Sequence, residues 1–131
     1  MAQSCIFLVE DNPDDAFLVS RIIGKVCSEE IVLARDGEEA IQLLLQMAED
    51  GSYRRIRLVL LDLKLPKING IEVLQSIRSS GPLRDLPVAV LTSSDNETDQ
   101  ERCRALGVLE YIFKPLGVEA LRRLLPLDKD A

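Results

Sequence analysis

The chain has 131 residues, of which 47% are hydrophobic, 29% charged and 4% aromatic, the mixture of one globular domain with a single core. A formal net charge of -6 argues against the clustered Lys and Arg that hold nucleic-acid phosphates, so direct nucleic-acid binding is not expected. With no histidine anywhere, Ser-His-Asp and Cys-His catalysis and histidine-ligated metals are excluded.

No apolar run approaches the roughly 18 residues of a membrane helix, and no basic segment precedes one at the N-terminus, so a cytoplasmic protein without a membrane partner is expected. Cys5, Cys27 and Cys103 are odd in number and form no CxxC pair, which reads as reduced thiols acting as small buried hydrophobes.

In chain order, Cys5 to Val9 is a continuous apolar run, the pattern of a strand covered on both faces, and it stops at Glu10-Asp11. Asn12 as N-cap, Pro13 at the first helical position and Asp14 and Asp15 in the first turn predict a helix. Its expected inward face is Phe17, Val19, Ile22, Ile23 and Val26. Glu30 to Ala34 is a further strand. Asp36, with Glu39 three residues on, opens a helix facing inward with Ala40, Ile41, Leu44, Leu45 and Ala48. From Asp50 to Arg57 the chain reads as a solvated loop carrying Tyr53, Arg54 and Arg55.

Leu58 to Leu61 is the central buried strand. It delivers Asp62 to a sheet edge, and the chain turns at once through Pro66 and Gly70. Ile71 to Arg78 forms a short amphipathic helix, closed by Ser79-Ser80-Gly81-Pro82. Pro87 to Leu91 is a fourth strand ending in Thr92-Ser93-Ser94-Asp95, and a polar helix from about Asn96 to Leu106 ends at Gly107. Tyr111 to Phe113 is a brief fifth strand followed by Lys114-Pro115. Val118 to Leu125 is the last helix, with Leu121, Leu124 and Leu125 inward and Pro126 limiting it. Leu106, Val108, Leu109 and Leu116 belong either to the core or to a face for self-association.

Strand and helix alternate five times, the pattern of an α/β fold: a doubly wound five-stranded parallel sheet with helices on both faces. Such sheets place ligands beyond the carboxyl ends of their strands. Glu10 and Asp11 follow the first strand, Asp62 the third, Thr92 the fourth and Lys114 the fifth. A single strand-end aspartate more often caps a helix or lies in a solvated turn; the constellation carries the information. Three carboxylates brought together repel unless a divalent cation fills the gap. Oxygen-only ligands favour a hard ion, Mg2+. Thr92 can then hydrogen-bond one phosphate oxygen while Lys114 neutralises another, the stabilisation that phosphoryl transfer needs.

In these residues the chain resembles the receiver domains of two-component response regulators, from about Ile6 to Leu125. Glu10-Asp11, the Asp62 to Pro66 turn with Asn69-Gly70, Thr92-Ser93 and Tyr111 to Pro115 match the family's motifs in order. The resemblance implies a flavodoxin-like (βα)5 fold with strand order 2-1-3-4-5. It implies that Asp62 is the phosphoacceptor and that Glu10, Asp11, Asp62 and the backbone carbonyl of Lys64 hold Mg2+. Thr92 and Tyr111 resemble the coupled switch pair, and Lys114 the phosphate-binding lysine. Lys64 and Ser94 stand at positions resembling those that tune phosphate lifetime. Residues 1–131 read as a single receiver without an output domain, similar to small receivers paired with phytochrome-type histidine kinases. The implied partners are a sensor histidine kinase, a downstream target or phosphotransfer protein, and a second copy across the fourth helix, fifth strand and fifth helix.

Leu65, Asn69 and Glu10 depart from the commoner Met, Asp and Asp of the family, and none of these departures falls on Asp62, Asp11, Thr92 or Lys114. A phosphatase of the haloacid dehalogenase type also uses an aspartyl nucleophile, but it needs a second aspartate two residues on, where this chain has Lys64. An unphosphorylated pseudo-receiver would be expected to lack the acceptor or the lysine, and both are present.

Overall fold

Five apolar runs become five parallel strands. The structure, a computed structural model, describes residues 3–125. The strands β1 (Cys5–Val9), β2 (Glu30–Ala34), β3 (Ile56–Leu61), β4 (Val88–Thr92) and β5 (Glu110–Phe113) form one sheet in the order β2-β1-β3-β4-β5. The helices are α1 (Pro13–Val26), α2 (Gly37–Asp50), α3 (Gly70–Ser79), α4 (Glu97–Ala105) and α5 (Val118–Leu124). This is the flavodoxin-like order expected from the sequence.

Because side chains alternate across a strand, the sheet divides the core in two. Cys5, Phe7 and Val9 of β1 pack with Leu44 of α2, Leu74 and Ile77 of α3 and Cys103 of α4. Ile6 and Leu8 pack with Val19 and Ile23 of α1 and Leu121 of α5. Each fully buried aliphatic side chain contributes about 1.5–3 kcal/mol as an upper estimate. The helices start where side chains satisfy free backbone donors. Asn12 Oδ1 accepts from Asp14 N at 2.9 Å and Asp15 N at 3.1 Å, and Asp36 Oδ1 accepts from Glu39 N at 2.8 Å. Asn69 and Glu72 form a reciprocal capping box at α3.

Several details differ from the sequence reading. Phe17 and Leu45 are 61% and 54% exposed. The buried stripe of α1 is Ala16, Val19 and Ile23, which turns Phe17 outward, with Arg21 5.9 Å from its ring centroid. The segment read as a loop contains a 3-10 turn, Ser52–Arg55, entered through Gly51 at φ 85°. β3 starts at Ile56 rather than Leu58. Arg57 sits inside the strand because its guanidinium reaches Glu29 Oε2 at 2.7 Å, while Arg55 pairs with Glu30 and Arg54 stacks on Tyr53. Of the four residues weighed as core or self-association face, Leu109 alone is exposed; Leu116 is buried, and Leu106 and Val108 pack against the core. Pro126 lies outside the described residues.

Cys5 and Cys103 are fully buried and Cys27 is half-buried. Burial pushes all three thiols up, that of Cys103 to about 11, which leaves them little thiolate. Among the described residues no helix is long and apolar enough to cross a membrane.

Gly24 lies within α1, where an added Cβ would meet nothing within 4 Å. Gly24→Ala is therefore expected to stabilise the fold by about 0.5–1 kcal/mol through reduced unfolded-state entropy. Thermal melting checks this, and an unchanged or lower midpoint would count against it.

Candidate functional site

The register of the central strands sets up the site. Val9 of β1 pairs with Leu61 of β3, so the next residues, Glu10 and Asp62, leave the sheet side by side. Their backbones stay tied: Glu10 N donates to Ala34 O at 3.0 Å and Asp62 N to Val9 O at 3.1 Å. Glu10 is 2% exposed and Asp62 4%, whereas Asp11 is exposed. One carboxylate oxygen from each of Glu10, Asp11 and Asp62 lies within 4.8 Å of the others.

Lys114 enters from the end of β5, its backbone N donating to Thr92 O at 2.9 Å. Its ammonium lies 2.8 Å from Glu10 Oε1, 2.8 Å from Asp15 Oδ2 and 2.9 Å from Asp62 Oδ2. The second oxygens are also engaged: Glu10 Oε2 accepts from Asn12 N at 3.2 Å, and Asp62 Oδ1 from Lys64 N at 3.1 Å. Burial pushes the Glu10 carboxyl above its usual range, against the opposing pull of Lys114. Burial by itself would lower the Lys114 pKa, but hydrogen bonds to Asp15, Glu10 and Asp62 outweigh it and hold the ammonium above its ordinary value.

One ammonium thus serves three carboxylates, with a fourth, Asp11, beside them. That surplus of negative charge, an all-oxygen donor set and a half-open position at Asp11 fit a hard divalent ion such as Mg2+. Glu10, Asp11 and Asp62 would hold it.

The loop from Asp62 to Gly70 braces the site. Gly70 N donates to Leu63 O at 2.9 Å and Ile68 N to Pro66 O at 2.8 Å. Lys67 takes a left-handed conformation, φ 68°, and its ammonium lies 3.6 Å from Asp36 Oδ2 at the start of α2. Ile68 packs onto Gly37, where a Cβ would come within 2.9 Å of Ile68 Cβ and overlap its carbonyl oxygen. Lys64 is exposed in this loop.

Thr92 is fully buried, and its Oγ1 accepts from Ser94 N at 3.2 Å. Tyr111 is half-buried on β5, and its hydroxyl donates to Ser94 O at 3.0 Å. Thr92 and Tyr111 therefore meet at Ser94, which also donates from Oγ to Asp99 Oδ2 at 3.4 Å.

The sequence-predicted residues Glu10, Asp11, Asp62 and Lys114 converge, and Thr92 joins them through the Lys114 backbone. Sequence reasoning missed Asp15, which was assigned only to the helix dipole. The available signal was its place in the first turn of α1, because helical side chains lean toward the N-terminus and so back toward the end of β1.

A flavodoxin-like sheet with a carboxylate cluster and a lysine at its carboxyl edge is a doubly wound α/β domain whose polar site lies beyond the carboxyl ends of its strands. Residues 6–125 match the response regulator receiver domain family, and the chain belongs to that family. It is 42% identical over 126 residues to the probable methanogenesis regulatory protein FilR2 of Methanothrix harundinacea, covering 95% of this chain and 81% of that one. Among solved structures it is similar to the phosphorylated cyanobacterial phytochrome response regulator RcpA, with 40% identity, a TM-score of 0.77, and 95% and 89% of the two chains covered. The Mn(2+)-bound form of response regulator Rcp1 is 36% identical, with a TM-score of 0.76 and 93% and 88% covered.

Proposed function

We propose that the protein is a response regulator that accepts a phosphoryl group on Asp62 from the phosphohistidine of a sensor histidine kinase. The carrying observation is the Asp62 carboxylate, 4% exposed and held by Lys114 at 2.9 Å beside the metal-competent Glu10 and Asp11. The kinship with RcpA, solved in phosphorylated form, supports this reading. Kinship with that phytochrome response regulator also points to a phytochrome-type kinase as the donor.

In this mechanism the strand end and the Lys64 N–H orient Asp62 for in-line attack on phosphorus. The new bond to a carboxylate oxygen forms as the donor's P–N bond breaks, and the electron pair leaves with the imidazole nitrogen. Lys114 neutralises one phosphoryl oxygen and Thr92 hydrogen-bonds another. Mg2+, held by Glu10, Asp11, Asp62 and the Lys64 carbonyl, would supply charge neutralisation for the transferring group. The side-chain charge at position 62 rises from -1 toward about -2. Thr92 then leaves Ser94 N for the phosphoryl group, and Tyr111 turns into the space released. The surface of α4, β5 and α5 changes with it. Leu109 and Phe113, 57% and 50% exposed, place apolar area there for a downstream target, a phosphotransfer protein or a second copy.

The chain acts in this reading as a cytoplasmic receiver and signalling protein rather than as an enzyme. A phosphoramidate donor with Mg2+ tests the reading. One hydroxylamine-labile phosphoryl group is expected on the parent and none on Asp62→Asn. Label that persists in Asp62→Asn, or sustained turnover of phosphate, would point to another acceptor or to a phosphatase.

A further inference from the structure

Lys114 has three N–H donors, and all three are taken, by Glu10, Asp15 and Asp62. A phosphoryl oxygen arriving on Asp62 can be reached only if one of these bonds is given up. The three acceptors are not equivalent. The Glu10 and Asp62 side chains are 1% and 5% exposed and are fixed by backbone donors from Asn12 and Lys64. Asp15 comes from the first turn of α1, and its side chain is 36% exposed, so water can replace the ammonium there. The two buried carboxylates are closed to water, and only a metal ion could take the ammonium's place there.

We infer that Asp15 is a positioning residue that restrains Lys114 in the unphosphorylated protein and is the partner it releases when the phosphoryl group arrives. This rests on Asp62 being the phosphoacceptor and adds the element that sets how readily the site accepts phosphate. Asp15 touches neither the donor nor Asp62 in the reaction. It acts through Lys114, occupying one of the N–H donors that the arriving phosphoryl oxygen needs.

The experiment is labelling by phosphoramidate at saturating Mg2+, where the P–O bond to Asp62 forms as the P–N bond breaks and ammonia departs. Asp15→Asn keeps the size of the side chain and removes its charge. It is expected to take label about fivefold faster, equivalent to about 1 kcal/mol, the upper range for a partly exposed ion pair. Asp14→Asn makes the same charge change one residue away, at an exposed position without a bond to Lys114, and should leave the rate unchanged. In a Lys114→Met background the gain from Asp15→Asn should vanish, because the restrained group is gone. A rate for Asp15→Asn equal to or below the parent overturns the inference. So does equal acceleration by Asp14→Asn, or a gain that survives without Lys114, since either would mark a general charge effect. A parent protein that takes no label overturns the phosphoacceptor reading itself, and the inference with it.

Discussion

Lys114→Met is expected to lower the melting temperature of the metal-free protein and to slow phosphorylation of Asp62 about a hundredfold. The two effects have separate causes. In the folded state the ammonium lies within 3 Å of two almost fully buried carboxylates, Glu10 and Asp62. Removing one partner of a buried ion pair leaves uncompensated charge and typically costs about 3–5 kcal/mol. Part of that loss is met by proton uptake at Glu10, whose carboxyl burial already pushes above its usual range. The rate falls because a preorganised cation aimed at developing phosphoryl charge is worth about 3 kcal/mol in sites of this kind.

Mg2+ separates the two. A metal held by Glu10, Asp11 and Asp62 would draw on the same carboxylates as the ammonium, so the variant should bind Mg2+ more tightly than the parent and recover melting temperature as the ion is added. Labelling should stay slow at saturating Mg2+, since in the proposed mechanism the metal would not take over the phosphoryl oxygen assigned to Lys114. Calorimetry with and without Mg2+, together with single-turnover labelling, reads both. A variant that labels within threefold of the parent would remove Lys114 from the transfer step. One that melts at the parent's temperature without metal would show that its charge is not what holds the buried pair.

Much of this site was legible in the chain because strands buried on both faces lose their alternation. Runs such as Cys5 to Val9 and Val88 to Leu91 then stop abruptly at the polar residue that matters. Parallel connection brings those stops to one edge, so Glu10, Asp62, Thr92 and Lys114 could be gathered by topology alone. What escaped depended on partners far apart in sequence. Arg57 hid the start of β3 because a charged residue in an apolar run looks like its boundary, and Glu29, which neutralises it, lies 28 residues away on the approach to β2. Phe17 was assigned inward because periodicity counts large apolar residues, whereas the stripe of α1 that is buried runs through Ala16, Val19 and Ile23. Asp15 escaped because the helix dipole already accounted for an acid in the first turn of α1, and its bond to Lys114 spans 99 residues.

Gly70→Ala should be a damaging small substitution outside the charged groups, and it acts through backbone geometry. Gly70 opens α3 and doubles back on Asp62 and Leu63. A Cβ there would overlap the Asp62 carbonyl oxygen and lie 2.6 Å from Leu63 Cα and 3.0 Å from the Asp62 carbonyl carbon. These are main-chain atoms, so no rotamer relieves the contact, and the turn must open. Alanine is the better helix former by about 1 kcal/mol, but overpacking against fixed neighbours costs about 1–3 kcal/mol and occasionally more. Because the contacts are to main chain, the steric term sits at the upper end of that range and leaves a net loss of about 2 kcal/mol. Opening the turn breaks the Gly70 N to Leu63 O bond and shifts the Asp62 carboxylate relative to Lys114, and a displacement near 1 Å can cost about a hundredfold in a positioned reaction. Gly24→Ala, the same chemical change at an open helical site, should raise the melting temperature and leave labelling untouched. If Gly70→Ala labels at the parent rate and melts no lower, then the close approach of α3 to the acceptor strand is not what positions Asp62.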